Sequence, residues 1–103
     1  MEKLEPVIKK NGYTYQLVKR GDKAALYAQH SGGLVIAYEV FEIRTQKAGE
    51  AVIGGRKVIF VEKELFAKDE DFGVSAWSCR QLNDALVRFD FLESDILPSV
   101  LVS

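Results

Sequence analysis

Leu34-Val35-Ile36-Ala37-Tyr38-Glu39-Val40-Phe41-Glu42-Ile43-Arg44 is the most hydrophobic stretch of the chain and ends in a regular alternation. In an extended segment Glu39 and Phe41 fall on one face and Tyr38, Val40 and Glu42 on the other, which places the strand centrally in a sheet. Ahead of it, Ala24 to His30 reads as a strand ended by Ser31-Gly32-Gly33. Before that, Tyr13-Thr14-Tyr15-Gln16-Leu17-Val18-Lys19 alternates, with Tyr13, Tyr15 and Leu17 on one face, and Arg20-Gly21-Asp22 closes it as a tight turn. Short glycine-containing connections make antiparallel pairing the simplest topology, so the three segments form a meander.

Outward from the meander the signals are shorter. Ala51-Val52-Ile53 and Arg56-Lys57-Val58-Ile59-Phe60-Val61 flank Gly54-Gly55, the pattern of a second hairpin on a primed turn. Phe72 to Cys79 reads as a glycine-punctuated entry into a short strand presenting Trp77 to the core; a helix starting near Ser78 is the alternative. From Gln81, Leu82, Ala85, Leu86, Phe89 and Leu92 make one apolar helical stripe, and Ser78 with Gln81 has capping-box spacing.

The expectation is therefore an α+β fold: a small antiparallel sheet, a three-stranded meander plus a short hairpin, packed against one C-terminal helix. Its core is Trp77, Phe89, Leu86, Leu82, Leu26, Tyr38 and Val40. Asn11-Gly12 is a strong turn dipeptide, so residues 1–12 read as an N-terminal extension, 13–93 as a single domain and 94–103 as a tail. The apolar part of that tail, Ile96 to Val102, is available to cover a sheet face or add to an edge.

The 103 residues, 48% hydrophobic and 28% charged, suit one folded domain. No apolar run approaches the roughly 18–20 residues of a membrane span, and no hydrophobic stretch follows the N-terminal charges. With a single cysteine, Cys79, no intramolecular disulfide forms, and with a single histidine, His30, a Cys/His zinc site within one chain is excluded. A cytoplasmic setting follows. The net charge of −1 is unevenly spread, with ten Lys/Arg against six Asp/Glu in residues 1–60 and four against nine thereafter.

Ala25-Leu26-Tyr27-Ala28-Gln29, Ala37 to Ile43, Glu64-Leu65-Phe66, Asp69-Glu70-Asp71-Phe72-Gly73 and Ala76-Trp77 precede a helix bearing Leu82, Ala85 and Phe89. Over roughly residues 13–93 this succession resembles short uncharacterised proteins encoded in prophages and bacterial genomes. The resemblance implies a phage-related or accessory setting and transfers no activity, cofactor or site.

Candidate chemistry is sparse. Cys79 with His30 is the available nucleophile–base pair, and each reads more simply as a structural or solvated residue. Glu62, Glu64, Asp69, Glu70 and Asp71 cluster without the spacing of a calcium loop. Glu39 and Glu42, on opposite strand faces, cannot act as an acid/base pair. Gly32-Gly33 and Gly54-Gly55 are turn glycines, not phosphate loops. The expectation is a chain with no catalytic, cofactor or metal site and no membrane partner.

Two binding readings remain. Lys9, Lys10, Lys19, Arg20 and Lys23 with Tyr13, Tyr15 and Tyr27 combine basic and aromatic groups around the first hairpin, as single-stranded nucleic-acid recognition requires, although the near-neutral balance argues against it. A protein partner or self-association is preferred, through a sheet face left bare by the single helix, with Val35, Ala37 and Phe41 supplying apolar area.

Overall fold

A computed structural model describes residues 1–68, 71–73 and 75–94. Glycine at positive φ sets its hairpins: Gly32-Gly33 joins β3 (Ala24–Ser31) to β4 (Leu34–Glu42), and Gly54-Gly55 joins β6 (Gly49–Ile53) to β7 (Arg56–Phe60). Asn11, at φ 54°, and Gly12 do the same between β1 (Val7–Lys10) and β2 (Tyr13–Arg20). Residues 1–12 are therefore part of the domain and not an extension to it, since β1 pairs along β2 and Leu4 and Ile8 pack on the core. With four residues and two lysines, β1 is too short for its alternation to stand out.

The main sheet is antiparallel in the order β1-β2-β3-β4-β9, with β9 being Ala76–Cys79. The meander is its centre, widened by a strand on each side from three strands to five. The β6–β7 hairpin does not extend it. β5 (Arg44–Gln46) and β8 (Lys63–Leu65) pair separately, and β6 and β7 pair only with each other.

α1 (Leu82–Glu93) lies on one sheet face, where Ala24, Leu26, Val40, Ala85 and Phe89 are buried and Tyr38, Trp77, Cys79, Leu86 and Leu92 pack around them. Leu82, expected in this core, sits exposed in the first helical turn, before Ala85 meets the sheet. The helix begins after Gln81, which makes no side-chain cap, because Ser78 is held in β9 opposite Glu39; the capping box does not form.

The other face is not bare. Phe66 and Ala67, in the irregular segment after β8, cover Tyr15, Ala25, Tyr27 and Phe41. Phe66 packs tilted on Tyr15 at 4.9 Å and edge-on to Phe41 at 4.8 Å, with Tyr27 stacked on Phe41 at 5.9 Å. The helix thus supplies one cover and an irregular segment the second.

Candidate functional site

The structure takes apart the nucleic-acid surface expected on the first hairpin. Tyr15 and Tyr27 are buried beneath Phe66, so neither ring offers a face to a base. The Tyr27 hydroxyl donates to the Glu5 carbonyl at 2.7 Å, and burial, opposed by the Arg20 charge, pushes it up to about 12. Tyr13 packs on the same cluster.

The cations are similarly engaged. Arg20 forms a two-pronged pair with Glu64, at 2.6 and 2.9 Å. Lys10 donates to the Ala67 carbonyl at 3.0 Å and lies over Phe66, and Lys19 lies over Phe89. The Lys23 backbone N–H donates to Glu93. Lys9 is exposed. The side chains of Lys10, Lys19 and Arg20 thus tie the sheet to its covers instead of joining one basic rim.

The expected protein interface is also divided. Phe41 is 1% exposed, because the segment around Phe66 occupies its face of the sheet, and Ala37 is buried as well. Val35 remains 45% exposed at the β3–β4 end, beside exposed Leu34 and Ile36. A face offering Phe41 to a partner does not exist; an apolar hairpin end does.

Cys79 and His30 lie on strands separated by β4. Burial and nearby Asp84 push the Cys79 thiol up, the reverse of an activated nucleophile. Of the acidic cluster, Glu64 is committed to Arg20 and the Leu4 N–H, and Asp71 accepts from the Lys68 N–H at 3.0 Å and pairs with Arg44 at 3.4 Å. Asp69, Glu70 and the tail from Asp95 lie outside the described residues. Among the described residues no group of three or more His, Cys, Asp or Glu side chains is placed to hold a metal ion. Among the described residues no helix is long and apolar enough to cross a membrane. Glu39 is buried with Oε2 unpartnered; burial raises its carboxyl pKa, against Ser78 and the Lys10 charge.

Two exposed surfaces remain that sequence reading did not single out, the first on the hairpin it expected. The β6–β7 hairpin is an arm, with none of its residues in either core cluster. It helps bring the radius of gyration to 15.8 Å, against roughly 13 Å for a compact chain of this length. Val52 is 75% and Ile59 68% exposed, and Ile53 and Val61 are exposed too. The cross-strand pairs Ala51–Val58 and Gly49–Phe60 lie on one face, while Val52–Lys57 and Glu50–Ile59 lie on the other, so both faces carry apolar groups. The signal was present in the sequence as neighbouring Val52-Ile53 and Val58-Ile59-Phe60, which leave no purely polar face.

The second feature is a groove of about 460 Å³ between β9 and α1, lined by Cys79, Asp84, Val87, Arg88 and Phe91. Arg88 lies over the Trp77 ring at 4.4 Å and forms one wall. Val87 and Phe91, four residues apart, stand on the helix away from the Ala85–Phe89 stripe. A smaller cleft between Arg44, Phe66 and Asp71 holds about 160 Å³, less than the roughly 300 Å³ at which small-molecule sites begin.

The fold and these surfaces describe an antiparallel α+β domain bearing an apolar β-arm. The chain matches no protein-family description, no curated protein and no solved structure.

Proposed function

We propose that the chain is a non-catalytic interaction or assembly module that engages a protein partner through the β6–β7 arm. The observation that carries this reading is an isolated two-stranded hairpin with apolar groups on both faces. Such a hairpin is marginally stable in water unless a third layer covers it. Contiguous exposed apolar area rimmed by charge, here Glu50, Arg56 and Lys57, marks protein contact surfaces. The raised Cys79 thiol supports a non-catalytic role. The phage-related, bacterial setting implied by resemblance, and a cytoplasmic location suited to a lone free cysteine, belong to the same proposal.

The test compares the chain with Val52→Ser/Ile59→Ser. Both positions are exposed, so the variant keeps its fold and loses little stability, within about 0.5 kcal/mol per site. The unsubstituted chain associates with itself or retains a specific protein from a bacterial extract, and the variant does neither. Equal association by both chains, or none by either, overturns the reading.

A further inference from the structure

We infer that the end of the main sheet carrying the Gly32-Gly33 turn docks on an anionic lipid surface, which the turn enters to the depth of its aliphatic side chains. This end lies away from the arm, and its role does not rest on the arm's: the arm leaves β4 from the other end, where the Ile43 N–H donates to the Lys23 carbonyl. Ser31 to Ile36 are all exposed, Leu34 by 71% and Val35 and Ile36 by 45% each. The cross-strand row Lys9–Thr14–His30–Val35 runs from β1 to β4 and brings an exposed cation to the level of Val35. At the other edge of the sheet the Tyr38–Cys79 pair carries exposed Arg80 to the level of Ala37. Between residues 6 and 38 the only carboxylate is Asp22, in the turn at the opposite end, and residues 72–83 hold none. Neither Lys9 nor Arg80 has an ion-pair partner among the described residues. An aliphatic turn flanked by unpaired cations thus complements a surface that is apolar beneath and negative above.

Shape and chemistry select lipid over protein or nucleic acid. A hairpin turn offers a rigid partner far less than the ~800 Å² per side of a stable protein interface. A bilayer needs no matching shape: it closes around the turn and takes up aliphatic groups from every flank together. Single-stranded nucleic acid stacks on exposed rings, and the rings at this end, Tyr13, His30 and Tyr38, are half-buried. Entry is shallow, on the scale of roughly 5–10 Å, where the exposed backbone of Gly32 and Gly33 still meets water and headgroups. Lys9 and Arg80 then face the anionic headgroups, each worth about five-fold in affinity. Three partly exposed side chains bury less than one acyl chain, whose binding constant is about 10⁴ M⁻¹, so half-binding falls at roughly millimolar lipid.

Flotation of the full chain with lipid vesicles tests the contact. At roughly millimolar lipid the chain floats with vesicles containing about one-third phosphatidylglycerol, stays behind with phosphatidylcholine alone, and is released as salt rises to about 0.5 M. Leu34→Ser/Ile36→Ser lowers binding by about ten-fold or more, and Lys9→Gln/Arg80→Gln by roughly twenty-fold. All four positions are exposed, so both variants keep the circular dichroism of the unsubstituted chain. Leu34→Trp adds a fluorophore at the turn whose emission shifts to the blue on phosphatidylglycerol vesicles and is quenched by brominated lipid. Val52→Ser/Ile59→Ser, altered only in the arm, floats like the unsubstituted chain. Failure to float at about ten times that lipid concentration, a turn variant that floats undiminished, a Leu34→Trp probe that brominated lipid does not quench, or loss of flotation in the arm variant overturns the inference. Retention on a single-stranded oligonucleotide without flotation also overturns it and assigns Lys9 and Arg80 to nucleic acid.

Discussion

The Glu93 carboxylate occupies the space that a side chain at Gly21 would fill, so a Cβ there would overlap it. From that position it accepts three backbone N–H bonds, from Asp22 at 2.6 Å and from Lys23 and Ala24 at 3.0 Å each. An acidic residue is ordinarily unwelcome in the last turn of a helix. Here the strand turn supplies the donors that offset the dipole and fasten α1 across the sheet.

Gly21→Ala is expected to displace that carboxylate and destabilise the chain by roughly 2 kcal/mol, the scale of losing several partly exposed charge-assisted hydrogen bonds. Gly21 does not adopt positive φ, so the penalty is steric. Urea unfolding of Gly21→Ala, Glu93→Ala and the double variant checks this: the double variant is no worse than about the poorer single one, because both lose the same contact. Simple additivity would separate the two residues.

Arg20→Ala is expected to cost roughly 2–3 kcal/mol in urea unfolding, because Glu64 is left mostly buried without its partner. Arg20→Lys recovers only part of this, since an ammonium cannot reproduce the two parallel bonds. Neither change alters retention on single-stranded oligonucleotides. A selective loss of oligonucleotide binding without loss of stability would return the first hairpin to a recognition role.

Acid unfolding should be dominated by Glu64 and Glu93. Hydrogen bonds from Arg20 hold the Glu64 carboxyl at about 2, against the burial that raises it. For Glu93 burial also works upward, and three backbone N–H bonds outweigh it to hold the carboxyl below its usual value. Groups depressed in the folded state bind protons more tightly when unfolded, so their stabilisation is complete above the unfolded carboxylate value near ~4.3 and is lost as pH falls toward 2. Melting temperature is expected to drop between about pH 5 and 2, and Glu64→Gln, already less stable at pH 7, to show a flatter acid limb.

Glu39 has the opposite sign. Its raised carboxyl value means that the charged form is penalised in the fold, a cost present at neutral pH and relieved as pH falls through the folded value. Glu39→Gln is expected to raise stability at pH 7 by up to about 1 kcal/mol, and to give no gain at pH 3. Thermal unfolding at both pH values decides it; a loss at pH 7 would assign the carboxylate an indispensable partner.

Limited trypsin digestion is expected to cut first at Arg56 or Lys57, at the arm's tip. The two products stay together, because the sheet holds residues from both sides of the cut and β5 pairs with β8. Circular dichroism of the nicked protein should retain the sheet signal. First cleavage within β2 or β3 would contradict a rigid body with an exposed arm.

Local chemistry accounts for the elements that were legible in the sequence. Gly32-Gly33 and Gly54-Gly55 supply the positive φ of tight hairpin turns, alternation fixes which residues of β2 and β4 share a face, and the Ala85–Leu92 stripe marks a helix. Each signal spans a few neighbouring residues, and the meander and helix follow from them. The tertiary structure decided what those elements meet. Phe66 belongs to no regular element, yet it covers the face that Phe41 was expected to show a partner; Arg20 finds Glu64 forty-four positions away; Gly21 is shaped by Glu93. Whether Val52 and Ile59 are core or surface was likewise settled by the path of the chain beyond β5. Burial and charge pairing depend on contacts between residues far apart in sequence, which turn signals and periodicity do not encode.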